Sequence, residues 1–315
     1  MKRKYLIIPV MALFCLSLPS CSINKMAMNM VADALTGEGG TDAFTGDNDP
    51  QLVGDALPFA VKLYETLLSQ NPNHHGLLLT TGSLFVMYAN AFIQGPAEML
   101  SNNHYEEREA ALNRAKQLYL RGYKMLNKAL ALKYRGFGKA SVNDGSMQSV
   151  LARVRKADTG LLYWTVAGGL SAYSIDILDF ELSASIPEWS AMIHRAYELN
   201  PDFNGAALDE FFIIFYASLP EAMGGDLKLA EDHFKKALEK TNGNSTGAYL
   251  SYAQLVCVPA EDYNTFRDCL EKAIAINPDD DMANRLVNTI NQQKARWLLD
   301  NAWMHFSFLP IPDFY

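Results

Sequence analysis

The clearest chemistry in the sequence sits in four residues near its start. Leu18, Pro19, Ser20 and Cys21 place a leucine three residues ahead of a cysteine, with a small residue immediately before the thiol. That arrangement suits acylation. The Cys21 sulfur takes a diacylglyceryl group as a thioether, and cleavage ahead of it frees an amine for a further acyl chain. Two or three buried chains anchor a protein stably where one is marginal. The preceding stretch fits the same chemistry. Lys2, Arg3 and Lys4 lead into an apolar run from Leu6 to Leu18, broken by Pro9 and Ser17. It is too short to span a bilayer and the right length for the apolar region of a signal peptide. Pro19 is the one departure from the usual pattern. Residues 1–20 are therefore expected to be a lipoprotein signal peptide, with membrane attachment through lipid on Cys21. Ser22 is not the aspartate that retains some lipoproteins at the inner membrane, which favours the outer one.

No other residues assemble a reaction. The six histidines, His74, His75, His104, His194, His233 and His305, form no HExxH or ExxH pair, and there is no CxxC. Metal-ligand spacing is therefore missing. Asp279, Asp280 and Asp281 follow a helix-breaking proline and read as caps of the next helix. Glu106, Glu107 and Arg108 read as a solvated helix face. GxSxG, phosphate-loop and dinucleotide fingerprints are all missing, so the chain is expected to be non-enzymatic and to carry no cofactor. Its formal charge is −8 and becomes −11 once residues 1–20 are removed. An acidic chain without a long basic block excludes nucleic acid as a partner. The basic residues of 133–139 and 153–156 surround a glycine-rich loop. Beyond the signal peptide and the lipidated cysteine only Cys257 and Cys269 remain, read as two buried thiols although an oxidising compartment would permit a disulfide.

The elements that would position anything are helical. Apolar residues recur at spacings of three and four, and no downstream stretch alternates like a strand. One pattern returns: Ala60, Tyr64, Leu67, Pro72; Trp189, Ile193, Ala196, Pro201; Ala230, Phe234, Ala237, Asn242; Phe266, Leu270, Ala273, Pro278. A degenerate copy is Gly122, Leu126, Ala129, Tyr134. This is the second-helix half of a tetratricopeptide unit, in which a small residue lets paired helices approach and the proline starts the next helix. The predicted fold class is all-α: an irregular tetratricopeptide-like array of about 11–12 helices over residues 50–315. Residues 281–309 would form a long capping helix, with Asn284, Arg285, Asn288, Gln292 and Arg296 on its polar face. Residues 21–49 read as a lipidated tether containing a short helix at 23–35 and a flexible connector at 36–49.

Residues 76–97 carry no charge and are long enough to nominate a membrane span. Their Thr, Ser, Asn and Gln content and the place of the segment in the repeat favour a helix buried on all sides. Residues 160–175 and 206–220 are read the same way. Three such helices imply either a thick core or an apolar cavity between helices. Register counted from Ala237 sends Ile214 and Ala217 into a helix-pair core. It turns Phe212, Phe215 and Leu219 toward the inner surface, where Tyr163 and Trp164 would line an apolar groove from the opposite side.

Several strings go beyond the repeat. Residues 208–225, from Leu-Asp-Glu-Phe-Phe to Met-Gly-Gly, together with 251–260, 284–299 and 55–72, resemble the T-component lipoproteins of TRAP transporters, the tripartite ATP-independent periplasmic systems. The similarity covers most of residues 50–300. It implies a periplasmic, lipid-anchored, non-enzymatic helical protein that forms a homotrimer and docks the solute-binding (P) component of the system. It also implies an apolar channel serving a hydrophobic small-molecule ligand. The competing expectation is a tetratricopeptide lipoprotein that scaffolds envelope assembly by holding a peptide in its inner groove.

Overall fold

The protein is described by a computed structural model over residues 32–37 and 42–311. Cys21 and the segment read as a signal peptide lie outside the described residues. Among those described, besides the helical residues 32–36, there are 14 α-helices and no strand. Two of the helices, Asp42–Thr45 and Gly95–Glu98, are four residues long. The remaining twelve are α1 (Pro50–Gln70), α2 (His75–Ala89), α3 (Tyr105–Lys133), α4 (Ser146–Leu151), α5 (Thr159–Ile175), α6 (Phe180–Ala184), α7 (Ile186–Leu199), α8 (Ala207–Ser218), α9 (Leu227–Lys240), α10 (Thr246–Tyr252), α11 (Tyr263–Ala275) and α12 (Arg285–Asp300).

Local chemistry starts several of these helices. Asp49 accepts a hydrogen bond from the Leu52 amide at 3.0 Å, with Pro50 at the first helical position of α1. Asp226 caps α9 and Asp262 caps α11 in the same way. Each side chain satisfies an amide that the helix itself leaves unpaired. Packing is between chain neighbours: α2 with α3, α5 with α7, α8 with α9, α10 with α11. Every copy of the repeat pattern falls on a second helix of such a pair or on α1. Trp189, Ile193, Ala196, Ala230, Ala237, Phe266, Leu270, Ala273, Leu126 and Ala129 are all buried.

The α2–α3 pair depends on two glycines facing each other. A Cβ on Gly122 would sit 2.6 Å from the Gly82 carbonyl, and one on Gly82 would sit 2.6 Å from Leu126 Cγ. Backbone cannot yield as a side-chain tip can, so Gly122→Ala is expected to cost about 1–3 kcal/mol by forcing the helices apart. Thermal unfolding of the variant beside Gly138→Ala, whose Cβ would meet only the Ala131 methyl at 3.8 Å, measures this.

Helix α2 continues through a π-helical turn at Asn90–Gln94 into Gly95–Glu98. The whole stretch is long and apolar enough to cross a membrane by length and composition, yet 61% of its most apolar window is buried in the protein. The connector and the C-terminal end both depart from expectation. Residues 36–49 were expected to be a flexible connector, but Asp42–Thr45 packs beside α12, and the Arg285 guanidinium donates to the Gly46 carbonyl at 3.4 Å. Residues 32–36 are helical and docked: the Tyr64 hydroxyl donates to Leu35 O at 2.9 Å, and the His74 ring lies 3.0 Å from Asp33.

At the other end α12 is shorter than 281–309, because short 3₁₀ turns at Met282–Asn284 and Ala302–Met304 flank it. Asn288 and Gln292, expected on its polar face, are buried. Gln292 Nε2 lies within hydrogen-bonding distance of the carbonyls of Ala273, Ile274 and Ile276, the orphan acceptors at the end of α11. Lys294 pairs with Glu98 at 2.7 Å. The last helix thus binds the start of the chain, and the array closes on itself. Cys257 and Cys269 are buried free thiols.

Candidate functional site

Closing the array leaves a cavity of about 650 Å³ ringed by first helices: α2 and its π turn, α5, α8, the end of α10, and α12. That volume lies within the range of sites for small organic molecules. Helices α2 and α5 reach it because both are almost wholly apolar. One side of each packs against its pair partner, and the other side carries no charged group to draw it to water. Two π turns tune the approach. In Asn90–Gln94 and Ala253–Cys257 the amide bonds reach back five residues rather than four, Gly95 to Asn90 and Val258 to Ala253. Asn90, Phe92 and Leu255, all within these turns, are on the lumen wall.

The five residues predicted to line a groove separate in the structure. Tyr163, Trp164 and Leu219 are on the cavity wall. Phe212 and Phe215 are not: each is 1% exposed and points into the α7–α8–α9 interior. Phe212 stacks on His233 with ring centroids 4.6 Å apart, and Phe215 meets the edge of His194 at 6.4 Å. Their places on the wall are taken by Phe211, Ile214 and Ser218, one helical face at spacings of three and four. Ile214, expected in the helix-pair core, is 38% exposed. The register error has a physical source. Every position from Phe211 to Tyr216 is apolar, so periodicity could not tell the two faces apart. The charged residues could have: Asp209 and Glu210, passed over in reading 206–220 as a buried apolar helix, lie on different faces.

Asp209 is fully buried on the α9 side. Tyr197 donates to it at 3.0 Å, His233 Nδ1 is 2.7 Å away, and the Lys240 ammonium lies 2.7 Å from its other oxygen. Burial alone would raise the carboxyl, but the hydrogen bonds from His233, Lys240 and Tyr197 outweigh it and hold Asp209 below the ordinary carboxylate range.

Glu210, one residue on, lies on the cavity wall. Burial pushes its carboxyl up, and the charges of Asp209 and Asp281 push the same way. The opposing bond comes from the Ser245 hydroxyl, 2.5 Å from Oε1. Oε2 fits over Gly247, where a Cβ would come within 2.4 Å. Burial likewise raises the Tyr163 phenol across the lumen. Among the described residues no group of three or more His, Cys, Asp or Glu is placed to hold a metal. The arrangement is suited to holding an apolar body, with a few polar groups to orient it.

The matched family decides what this architecture belongs to. Residues 46–306 match the family described as TRAP transporter T-component. The chain belongs to the TRAP transporter T-component family. The match spans α1 to α12 and so most of the cavity wall. The T-component is also 33% identical over 298 residues to an uncharacterized protein of Treponema pallidum (strain Nichols), covering 90% of this chain and 92% of that protein. Membership makes the chain an accessory component of a transporter and not an enzyme.

Proposed function

We propose that this T-component is a lipoprotein held at the periplasmic face of a membrane through Cys21, where its cavity receives a hydrophobic solute and its surface docks the solute-binding component of a TRAP system. The observation that carries the reading is the cavity: an apolar chamber enclosed by helices that have no other partner on that side. Self-association into a homotrimer belongs to the same reading, and α1 offers Leu52, Phe59 and Leu63 along one exposed side for it.

The docking face is argued from the loop between α5 and α6. Ile177, Leu178 and Phe180 are 64%, 78% and 86% exposed, and Ile177 also lines the cavity. The loop therefore forms the rim where the chamber meets the surface. It is clamped in place: the Lys116 ammonium lies 2.8 Å from both Asp176 and Asp179, and Asp179 also caps α6. Neighbouring large apolar side chains held outward by a built clamp are the mark of a binding surface. Leu178→Asp with Phe180→Asp is expected to weaken binding of the solute-binding component at least tenfold while leaving the melting temperature within a few degrees. Analytical ultracentrifugation of residues 22–315 mixed with that component reads this directly. A strict monomer that ignores the partner overturns both the docking face and the homotrimer.

A further inference from the structure

The cavity wall is unequal in charge. Its lining includes one ionisable acid, Glu210, and no lysine, arginine or histidine. Two cations on helices that carry or adjoin the wall are engaged in pairs of their own. Lys240 is paired with Asp209, and Arg285 with Asp279 at 2.6 Å. The polar remainder is uncharged: Asn90, Ser171, Ser174, Asn204 and Asn284 among it. A ligand bearing a carboxylate would leave its charge desolvated with nothing to pair against, a penalty of several kcal/mol in a low-dielectric site. It would also face a carboxyl that is itself short of solvent. A head group that donates a hydrogen bond meets the opposite situation. Glu210 is already oriented by Ser245 at 2.5 Å and seated over Gly247, on the wall of an otherwise apolar chamber.

We infer that the cavity selects amphiphiles whose apolar chain ends in a hydrogen-bond-donating, non-anionic head, a hydroxyl or an amine, and excludes fatty-acid anions, with Glu210 as the residue that reads the head. This rests on the cavity being the solute site, and it names the substrate class of that site. Glu210 serves either form of head: a carboxyl oxygen accepts a hydrogen bond from an alcohol hydroxyl, and the same group accepts from an ammonium as an ion pair. Ser245 and Gly247 are positioning residues. The first holds Oε1, and the second leaves the space that Oε2 occupies.

The test uses the chain from residue 22, with dodecylamine, dodecanol and dodecanoate titrated at pH 7.5 below their aggregation concentrations and binding followed by calorimetry. The amine and the alcohol are expected to bind at least tenfold more tightly than dodecanoate. In Glu210→Gln the gap between amine and dodecanoate should shrink to within about threefold, while the alcohol, which can still bond to an amide, keeps most of its affinity. Dodecanoate binding as tightly as the amine overturns the selectivity. A gap between amine and dodecanoate that stays tenfold or more in a folded Glu210→Gln removes Glu210 as the reader. The wild-type ranking needs no variant, so it stands even if Glu210→Gln fails to fold. If none of the three binds, the cavity is not a solute site and the proposed function falls with the inference, an outcome distinct from binding in the wrong order.

Discussion

Phe215→Asp should fail to fold, whereas Ile214→Asp, one position earlier on the same helix, should fold and emerge from the cell without cargo. Phe215 is 1% exposed and packed among Phe211, Phe212, Tyr216 and His194. Removing such a ring costs about 3–5 kcal/mol. The carboxylate put in its place has no cation to meet, which adds the cost of a buried unpaired charge. A domain with a total stability of about 5–15 kcal/mol does not survive both losses. Ile214 instead opens onto the lumen, so its replacement forfeits little core packing and places a charge where an apolar solute would lie. Thermal unfolding followed by circular dichroism separates the folds, and mass spectrometry of organic extracts reads the cargo. A wild-type melt for Phe215→Asp with collapse of Ile214→Asp would mean that α8 is turned the other way round.

The second large effect is expected at Asp209. Asp209→Ala leaves the Lys240 ammonium, 2.7 Å from the lost oxygen, without its buried partner and strips His233 and Tyr197 of a shared acceptor. Removing one member of a buried charged network typically costs about 3–5 kcal/mol. Asp209→Asn, which keeps an acceptor oxygen, should cost less.

The network also sets a pH window. The Asp209 carboxyl is held below its ordinary value, so its stabilisation is fully present above about pH 4 and disappears as the pH falls through its depressed pKa. For Lys240, burial lowers the pKa, but the hydrogen bonds to Asp209 and Asp202 prevail and raise it. Its contribution is present below about pH 10 and is lost as the pH rises through the raised value. Wild type should therefore lose stability on acidification below pH 4 more steeply than Asp209→Asn, measured as urea midpoints across pH 3–7. Parallel curves for the two proteins would show that Asp209 is not the source.

The helices and their tight contact positions were legible in the sequence because their determinants are local. Ala196, Ala237 and Ala273 recur at the tight helix contact in a fixed relation to an aromatic or aliphatic residue and to a Pro or Asn stop. That spacing places them on one face of a second helix wherever the chain goes. The caps at Asp49, Asp226 and Asp262 are legible for the same reason, since a cap bonds to an amide two or three residues away. The apolar character of residues 76–97 and 160–175 likewise announced helices without a charged face, and Tyr163 and Trp164 of the second lie on the cavity wall.

What the sequence could not decide is everything that depends on which helix face meets which neighbour. In α8 the run from Phe211 to Tyr216 is apolar throughout, so its register rests on contacts with α7 and α9 far along the chain. These contacts take Phe212 and Phe215 inward and leave Phe211 and Ile214 to the lumen. Glu210 gains its role only because Ser245 and Gly247 arrive from the next pair to hold it. The cavity closes where α12 meets the first part of the array, with Lys294 against Glu98 and Arg285 against Gly46, contacts between residues far apart in the chain. The helices and their caps are properties of short segments, whereas a chamber requires distant helices to meet, and that meeting is a tertiary event.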